Sequence, residues 1–212
     1  MEIRRTANAG VLLKLDGATV LMDGVCREVS PYPATPPEER QALMRCWPDV
    51  IAFSHTHEDH YDPDFTAEFI KQTGGVILGP GCIPGAKDEP WTGKGITVTP
   101  IPSRHIGAAG KTVTHRSFLI CGSRTVLFTG DAAPSQFADR QDLPKIDVLI
   151  APFAYANSGG GWAVTRKLDP DTVVIVHMPR REKDTVGLWE AVEKTTGAEP
   201  PLIPAMGQTI QL

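Results

Sequence analysis

The stretch HTHEDH at residues 55–60 holds three of the six histidines of the chain, together with one aspartate. It follows the apolar run DVIAFS, which has the composition of a buried strand. Side chains two residues apart on an extended backbone point the same way, so His55 and His57 are expected to form half of a zinc site. Asp59 and His60 would then serve a second ion or orient the first. The alternative is a polar loop that is merely rich in histidine, and the spacing argues against it.

Three more residues of ligand type follow apolar runs. His105 ends PIPSRH, Asp131 ends LFTGD and His177 ends VVIVH. Loops beyond strand ends are where α/β folds place their chemistry, so these side chains are expected near the HTHEDH stretch. The candidate metal ligands are therefore His55, His57, Asp59, His60, His105, Asp131 and His177.

The elements that must position these residues alternate between strands and helices, which predicts one α/β domain over residues 1–212. Asp16-Gly17 between two apolar runs predicts a hairpin of residues 9–15 and 18–23. Asp62-Pro63 predicts the start of a helix that ends near Thr73. Further strands are predicted within 74–80, 96–102, 112–121, 124–130, 145–152 and 172–179, and helices within 37–47, 155–168 and 184–195.

Composition narrows the class of protein. The formal net charge is −4 and there is no long basic run, so a nucleic-acid partner is not expected. Lys14 and Asp16 interrupt the apolar residues near the start, and no stretch approaches the roughly 18 apolar residues of a membrane span. The four cysteines are scattered without a CxxC pair, which is typical of reduced thiols and a cytoplasmic location. The expected partner is a small-molecule substrate, and the oligomeric state is left open.

The order H-x-H-x-D-H, a distant histidine, an aspartate in TGD and a late histidine resembles the metallo-β-lactamase superfamily. The resemblance implies a four-layer αβ/βα sandwich with a metal site at one edge of the paired sheets. It also implies three sets of ligands: His55, His57 and His105 on the first metal, Asp59, His60 and His177 on the second, and Asp131 between them. The segments SHTHEDHYD and TVLFTGD more narrowly resemble compact hydrolases related to ascorbate-6-phosphate lactonase and N-acyl phosphatidylethanolamine phospholipase D.

The resemblance implies a metal-dependent hydrolase that directs a metal-bound hydroxide at an ester, lactone or phosphodiester bond. Two divalent ions are expected. Imidazole and carboxylate donors favour Zn²⁺ and also suit Mn²⁺, Fe²⁺ or Ni²⁺. Asp59 is a candidate proton acceptor as well as a ligand. The alternative is a mononuclear iron redox enzyme, dioxygenase-like, on the same fold. His57 disfavours a di-iron oxygen-reducing site, because members of that kind usually carry glutamate at this position.

His115 is a second candidate catalytic residue. If Cys121 pairs with Arg124 across the turn, residue 114 lies opposite Asp131, which brings His115 close to the site. We expect His105 rather than His115 to be the ligand. His115 would then contact the substrate or donate a proton to the leaving group, and a surface strand histidine is the alternative.

Other residues have two possible roles, one at the site and one structural. Asp23 at a strand end could orient a ligand histidine or simply form a turn. Arg180 and Arg181 could meet an anionic substrate group or only face solvent. Aromatic residues in loop-like stretches, Tyr32, Tyr155 and Trp162, could wall a pocket or pack in the core. The run Gly159–Gly161 is interpreted as a flexible turn.

Overall fold

Two mixed β-sheets form the centre of the molecule, and the computed structural model describes residues 1–212. The strands are β1 Glu2–Arg5, β2 Val11–Leu15, β3 Ala18–Met22, β4 Val50–Ala52, β5 Val76–Leu78, β6 Ala86–Lys87, β7 Trp91–Gly93, β8 Ile96–Arg104, β9 Thr114–Cys121, β10 Thr125–Phe128, β11 Val148–Pro152, β12 Thr172–Val176 and β13 Thr209–Gln211. The helices are α1 Pro37–Arg45, α2 Pro63–Thr73, α3 Gly159–Leu168 and α4 Leu188–Thr196. The first sheet has the order β13-β1-β2-β3-β4-β5-β6 and the second β12-β11-β10-β9-β8-β7.

The apolar runs that predicted the central strands are buried on both faces. In β4, Val50 and Ala52 point into the core between the sheets, whereas Ile51 points outward to a cluster that includes residues of α1 and α2. In β11, Val148 and Ile150 face the inter-sheet core, whereas Leu149 faces a cluster that includes residues of α3 and α4. This two-residue alternation produces four layers, which confirms the predicted αβ/βα sandwich.

Local chemistry explains two of the predicted boundaries. Asp16 and Gly17 have φ values of 51° and 82°, as a two-residue turn between antiparallel strands requires, and they connect β2 to β3. The carboxylate of Asp62 accepts hydrogen bonds from the backbone amides of Asp64 and Phe65, both at 2.9 Å, and so caps α2. The predicted hairpin and the predicted start of this helix are confirmed.

The interpretation of Gly159–Gly161 as a flexible turn is wrong, because these residues form the first turn of α3. The Ser158 hydroxyl caps the helix by accepting a hydrogen bond from the Gly161 amide at 3.2 Å. A Cβ atom on Gly161 would lie 2.0 Å from the Ala154 carbonyl oxygen, so close packing selects glycine there. Tyr155 and Trp162 are buried in the cluster beneath α3, where they pack as core residues.

Short strands at both chain ends were not predicted. β1 pairs with β2 and also with β13, so the two ends of the chain meet at one edge of the first sheet.

No helix of the structure combines the length and the apolar character that crossing a membrane requires.

Packing in the inter-sheet core can be tested by measuring the free energy of unfolding. Phe118 is fully buried on β9 between the sheets. Phe118→Ala is expected to lower the free energy of unfolding by about 3–5 kcal/mol in urea denaturation, because it removes buried apolar contacts and leaves a cavity. Val186→Ala is the control, since this side chain is 76% exposed, and its effect should stay within about 0.5 kcal/mol. A loss below about 1 kcal/mol for Phe118→Ala would contradict the packing of the two sheets.

Candidate metal centre

Asp23, directly after β3, is fully buried beneath the HTHEDH loop. Its Oδ1 accepts a hydrogen bond from the Ser54 amide at 2.7 Å, and its Oδ2 accepts one from the Ser54 hydroxyl at 2.6 Å. Because the Ser54 hydroxyl donates its one hydrogen to Asp23, the contact of 2.9 Å between Ser54 Oγ and His55 Nδ1 requires His55 Nδ1–H to be the donor. The lone pair of the neutral His55 ring is therefore on Nε2, which faces His57 Nδ1.

The same carboxylate fixes His60. Oδ2 of Asp23 lies 2.8 Å from His60 Nδ1, which donates to it, so in the neutral ring that a metal ion binds the lone pair is on His60 Nε2. Asp23 thus makes the contact that a group orienting a ligand histidine requires, directly for His60 and through Ser54 for His55.

His55, His57 and His105, called here the first triad, each offer one donor atom, and these atoms lie within 4.8 Å of one another. His55 Nε2 is 2.9 Å from His57 Nδ1. His105 Nδ1 donates to the Ile106 carbonyl at 2.7 Å, so the lone pair of His105 is on Nε2. The first triad contains the three histidines that the family resemblance assigned to the first metal.

Asp59, His60 and His177, called here the second triad, also place their donor atoms within 4.8 Å of one another. His177 Nε2 lies 3.1 Å from Asp59 Oδ2. The Asn8 carbonyl accepts the His177 amide at 3.1 Å, and the Asn8 side-chain amide lies 3.5 Å from Asp59 Oδ2. Asn8 therefore contacts two members of this triad, and sequence reasoning missed it because a single asparagine in a turn gives no signal.

Asp131 lies between the triads. Its Oδ2 is 3.6 Å from His105 Nε2 in the first triad and 3.4 Å from both His60 Nε2 and His177 Nε2 in the second. Gly130 has φ of 51°, and a Cβ atom there would lie 2.4 Å from Ser54 Cβ. The glycine of TGD thus lets the chain turn closely over the HTHEDH loop and brings Asp131 to this position.

The donor set fits divalent metal ions. Four buried atoms at the centre have no hydrogen-bond partner: His60 Nε2, His105 Nε2, His177 Nε2 and Asp131 Oδ1. Buried polar atoms are costly to leave unsatisfied, and lone pairs that converge on one place are satisfied by a cation. Imidazole and carboxylate without thiolate suit zinc, manganese, iron or nickel.

Protonation at the centre is consistent with cation binding. Burial lowers the pKa of His55 well below its usual value, so this ring is neutral. Burial opposes ionisation of Asp131, but the nearby His177 and His60 hold its pKa well below its usual range. The pKa of His60 is raised well above its usual value because Asp131 and Asp23 outweigh the effect of burial. A position where carboxylates stabilise positive charge also favours a metal ion.

His115 is 1% exposed, and both its ring nitrogens contact the protein. Because Cys121 pairs with Thr125 instead of Arg124, the expected register was wrong by one residue, and the alignment directs His115 itself toward Asp131. His115 Nε2 accepts the Asp131 amide at 3.0 Å, and Nδ1 lies 2.8 Å from the Ser103 hydroxyl. Burial lowers its pKa to about 3. This setting favours a role in positioning Asp131 over the substrate contact or proton donation expected from the sequence.

Tyr32 closes one side of the centre. Its ring packs edge-on against His177 with centroids 4.2 Å apart. Burial, together with the charges of Asp131 and Asp59, raises the pKa of Tyr32 to about 12, so its hydroxyl stays protonated.

Arg180 and Arg181 lie just beyond His177 in the chain. The Arg181 guanidinium stacks over the Trp189 ring, 3.9 Å from its centroid.

The role of Asp23 can be tested by Asp23→Asn, which keeps the size of the side chain but removes one acceptor oxygen. We expect affinity for Zn²⁺ to fall by about 10–100-fold in competition with a chromophoric chelator, because His60 and Ser54 lose their shared acceptor. Asp49→Asn is the matched control, since Asp49 accepts the amide and hydroxyl of Thr19 at the other end of β3. Equal affinities in Asp23→Asn and the wild type would contradict this role.

Comparison with known proteins agrees with the fold. No curated protein matches the chain. The structure of a possible metal-dependent hydrolase from Veillonella parvula has a TM-score of 0.74 at 18% identity, covering 100% of this chain and 99% of that one. An isothiocyanate hydrolase from Delia radicum gut bacteria has a TM-score of 0.64 at 17% identity, and the match covers 100% of this chain and 99% of that one. CmlA, a diiron β-hydroxylase from Streptomyces venezuelae, has a TM-score of 0.70 at 15% identity, and the match covers 100% of this chain and 54% of CmlA.

These likenesses establish the fold, and the family follows from the sequence itself. The model of the beta-lactamase superfamily domain matches residues 2–177, which include both triads and Asp131. The chain therefore belongs to the metallo-β-lactamase superfamily.

Proposed function

We propose that this protein is a metal-dependent hydrolase with a binuclear centre, and that zinc is its metal. The first triad would hold one ion, the second triad the other, and Asp131 would bridge them. One observation carries the proposal: side chains from four separate stretches of the chain direct buried lone pairs at a common place. A single ion bound by the first triad would leave the second triad without a function, which is why two ions are proposed.

Bound divalent ions supply Lewis acidity and lower the pKa of water. The protein contributes fixed ligand orientation through Asp23 and Asn8. Asp59 is ionised at neutral pH, because the nearby His177 and His60 lower its pKa against the effect of burial. A carboxylate with a lowered pKa is a good ligand and a weak base, so we assign Asp59 primarily to metal binding.

Tyr32 is proposed to contact the substrate. Its hydroxyl makes no hydrogen bond within the chain, stays protonated and lies near the carboxylates of the centre. It can therefore donate a hydrogen bond to a substrate oxygen or to the leaving group. Tyr32 and His57 are both partly exposed, whereas the other triad members are buried, so the substrate is proposed to approach from their side.

The scissile bond is proposed to be an ester, lactone or phosphodiester of a small molecule. The narrower resemblance to ascorbate-6-phosphate lactonase and the phospholipase D group favours the last two and remains a prediction. The similar fold of an isothiocyanate hydrolase adds isothiocyanates to the substrates worth testing.

The first test is a screen of lactones, phosphodiesters, thioesters and isothiocyanates with wild-type protein and His57→Ala. We expect hydrolysis of at least one class, and a loss of about 100-fold or more in kcat in the variant, because one ligand of the first triad is removed. Lys111→Ala is the control, since Lys111 is exposed and forms no ion pair. Unchanged activity in His57→Ala would contradict the proposal.

The metal content of the same protein, purified without added metal, separates this proposal from a mononuclear iron redox enzyme. Two equivalents of zinc are expected. Iron as the sole stoichiometric metal, at one equivalent, would replace the hydrolase with the redox alternative.

Tyr32→Phe tests the proposed substrate contact. The variant keeps the ring against His177 and removes only the hydroxyl, so metal content should stay the same while kcat/KM falls about tenfold or more. Tyr61→Phe is the matched control, because the Tyr61 ring packs on Phe53 with centroids 5.0 Å apart rather than on a histidine of the centre. Equal kcat/KM for Tyr32→Phe and the wild type would exclude this contact.

A further inference from the structure

A cavity of about 480 Å³ lies beside the metal centre. Residues that directly follow two members of the centre line it: Pro33 comes after Tyr32, and Met178 comes after His177. Trp189 of α4 and Ile203 of the C-terminal segment add apolar wall. The packed rings of Tyr32 and His177 are thus close to both the cavity and the centre.

The charge of this cavity is positive, although the chain as a whole has a net charge of −4. Three arginines line it, namely Arg5, Arg180 and Arg181, and none of the lining residues is acidic. Arg181 is already engaged, since it stacks over Trp189 and lies 3.1 Å from Glu193. Arg180 is exposed and forms no ion pair.

Arg5 is the unusual member, because it is only 6% exposed and pairs with no carboxylate. Its guanidinium donates to the carbonyls of Ala7, Asn8 and Pro204 at 3.0–3.2 Å. A guanidinium has five N–H donors, so two of them have no acceptor in the chain. Burial lowers the pKa of Arg5 to about 10, so the group remains charged at neutral pH. A buried charge without a counter-ion is costly, and an anion in the cavity would compensate it.

We propose that this cavity is a binding site for a small organic anion. Its carboxylate or phosphate group would face Arg5 and Arg180, which can hold two oxygens of either group in a bidentate pair. Its apolar part would pack on Met178, Trp189 and Ile203. The proposal concerns binding alone, so it does not depend on the reaction at the metal centre.

The probes are 2-naphthoate, phenylphosphonate and neutral 2-naphthamide, titrated by calorimetry into zinc-loaded and chelator-treated full-length protein. We expect at least one anion to bind and the amide to bind at least tenfold more weakly. Binding should be similar with and without zinc, because the anion faces arginines rather than metal. Anion binding that occurs only in the zinc-loaded protein would assign it to the metal centre and overturn the proposal.

Arg180→Glu is the main variant, because this exposed side chain has no partner whose loss would affect folding. It should weaken anion binding about tenfold or more, which corresponds to about 1.4 kcal/mol, and leave the amide unaffected. Arg166→Glu makes the same change of charge on α3, away from the cavity, and should leave anion binding unchanged. No binding by either anion, or equal weakening by both variants, would overturn the proposal.

Discussion

The hydrogen bonds of the buried Asp23 carboxylate are the constraint on which the metal centre depends. A histidine can bind a metal through only one nitrogen at a time, and the hydrogen bond at its other nitrogen decides which one. Asp23 decides this for His60 directly and for His55 through the Ser54 hydroxyl. One carboxylate at the end of β3 therefore orients a ring in each triad, and both rings present Nε2 to the site.

The fold brings these groups together by ending its central strands at one edge of the two sheets. β3 leads to Asp23, β4 to the HTHEDH loop, β10 to Asp131 and β12 to His177. The first two strands belong to one sheet and the last two to the other, so the inter-sheet core must hold the sheets in register for the two triads to share Asp131. Packing between the sheets is thus linked to chemistry at their edge, because a shift of about 1 Å would separate the donor atoms.

Much of this arrangement could be predicted from the sequence, because strand ends and histidine spacing are local signals. The hairpin at Asp16-Gly17 and the ligand candidates are of this kind. The features that the sequence did not predict correctly depend on contacts between residues far apart in the chain. The register around His115 was wrong by one because nothing near Cys121 reveals which residue pairs with it. Asn8 and Arg5 were missed because their importance comes from residues far along the chain, such as His177 and Pro204.

Anomalous diffraction at the zinc edge, from crystals grown with zinc, tests the central claim most directly. The account predicts two peaks about 3.5–4 Å apart, one among His55, His57 and His105 and the other among Asp59, His60 and His177, with Asp131 in contact with both. Zinc bound elsewhere on the protein, with neither triad in contact with a peak, would contradict it.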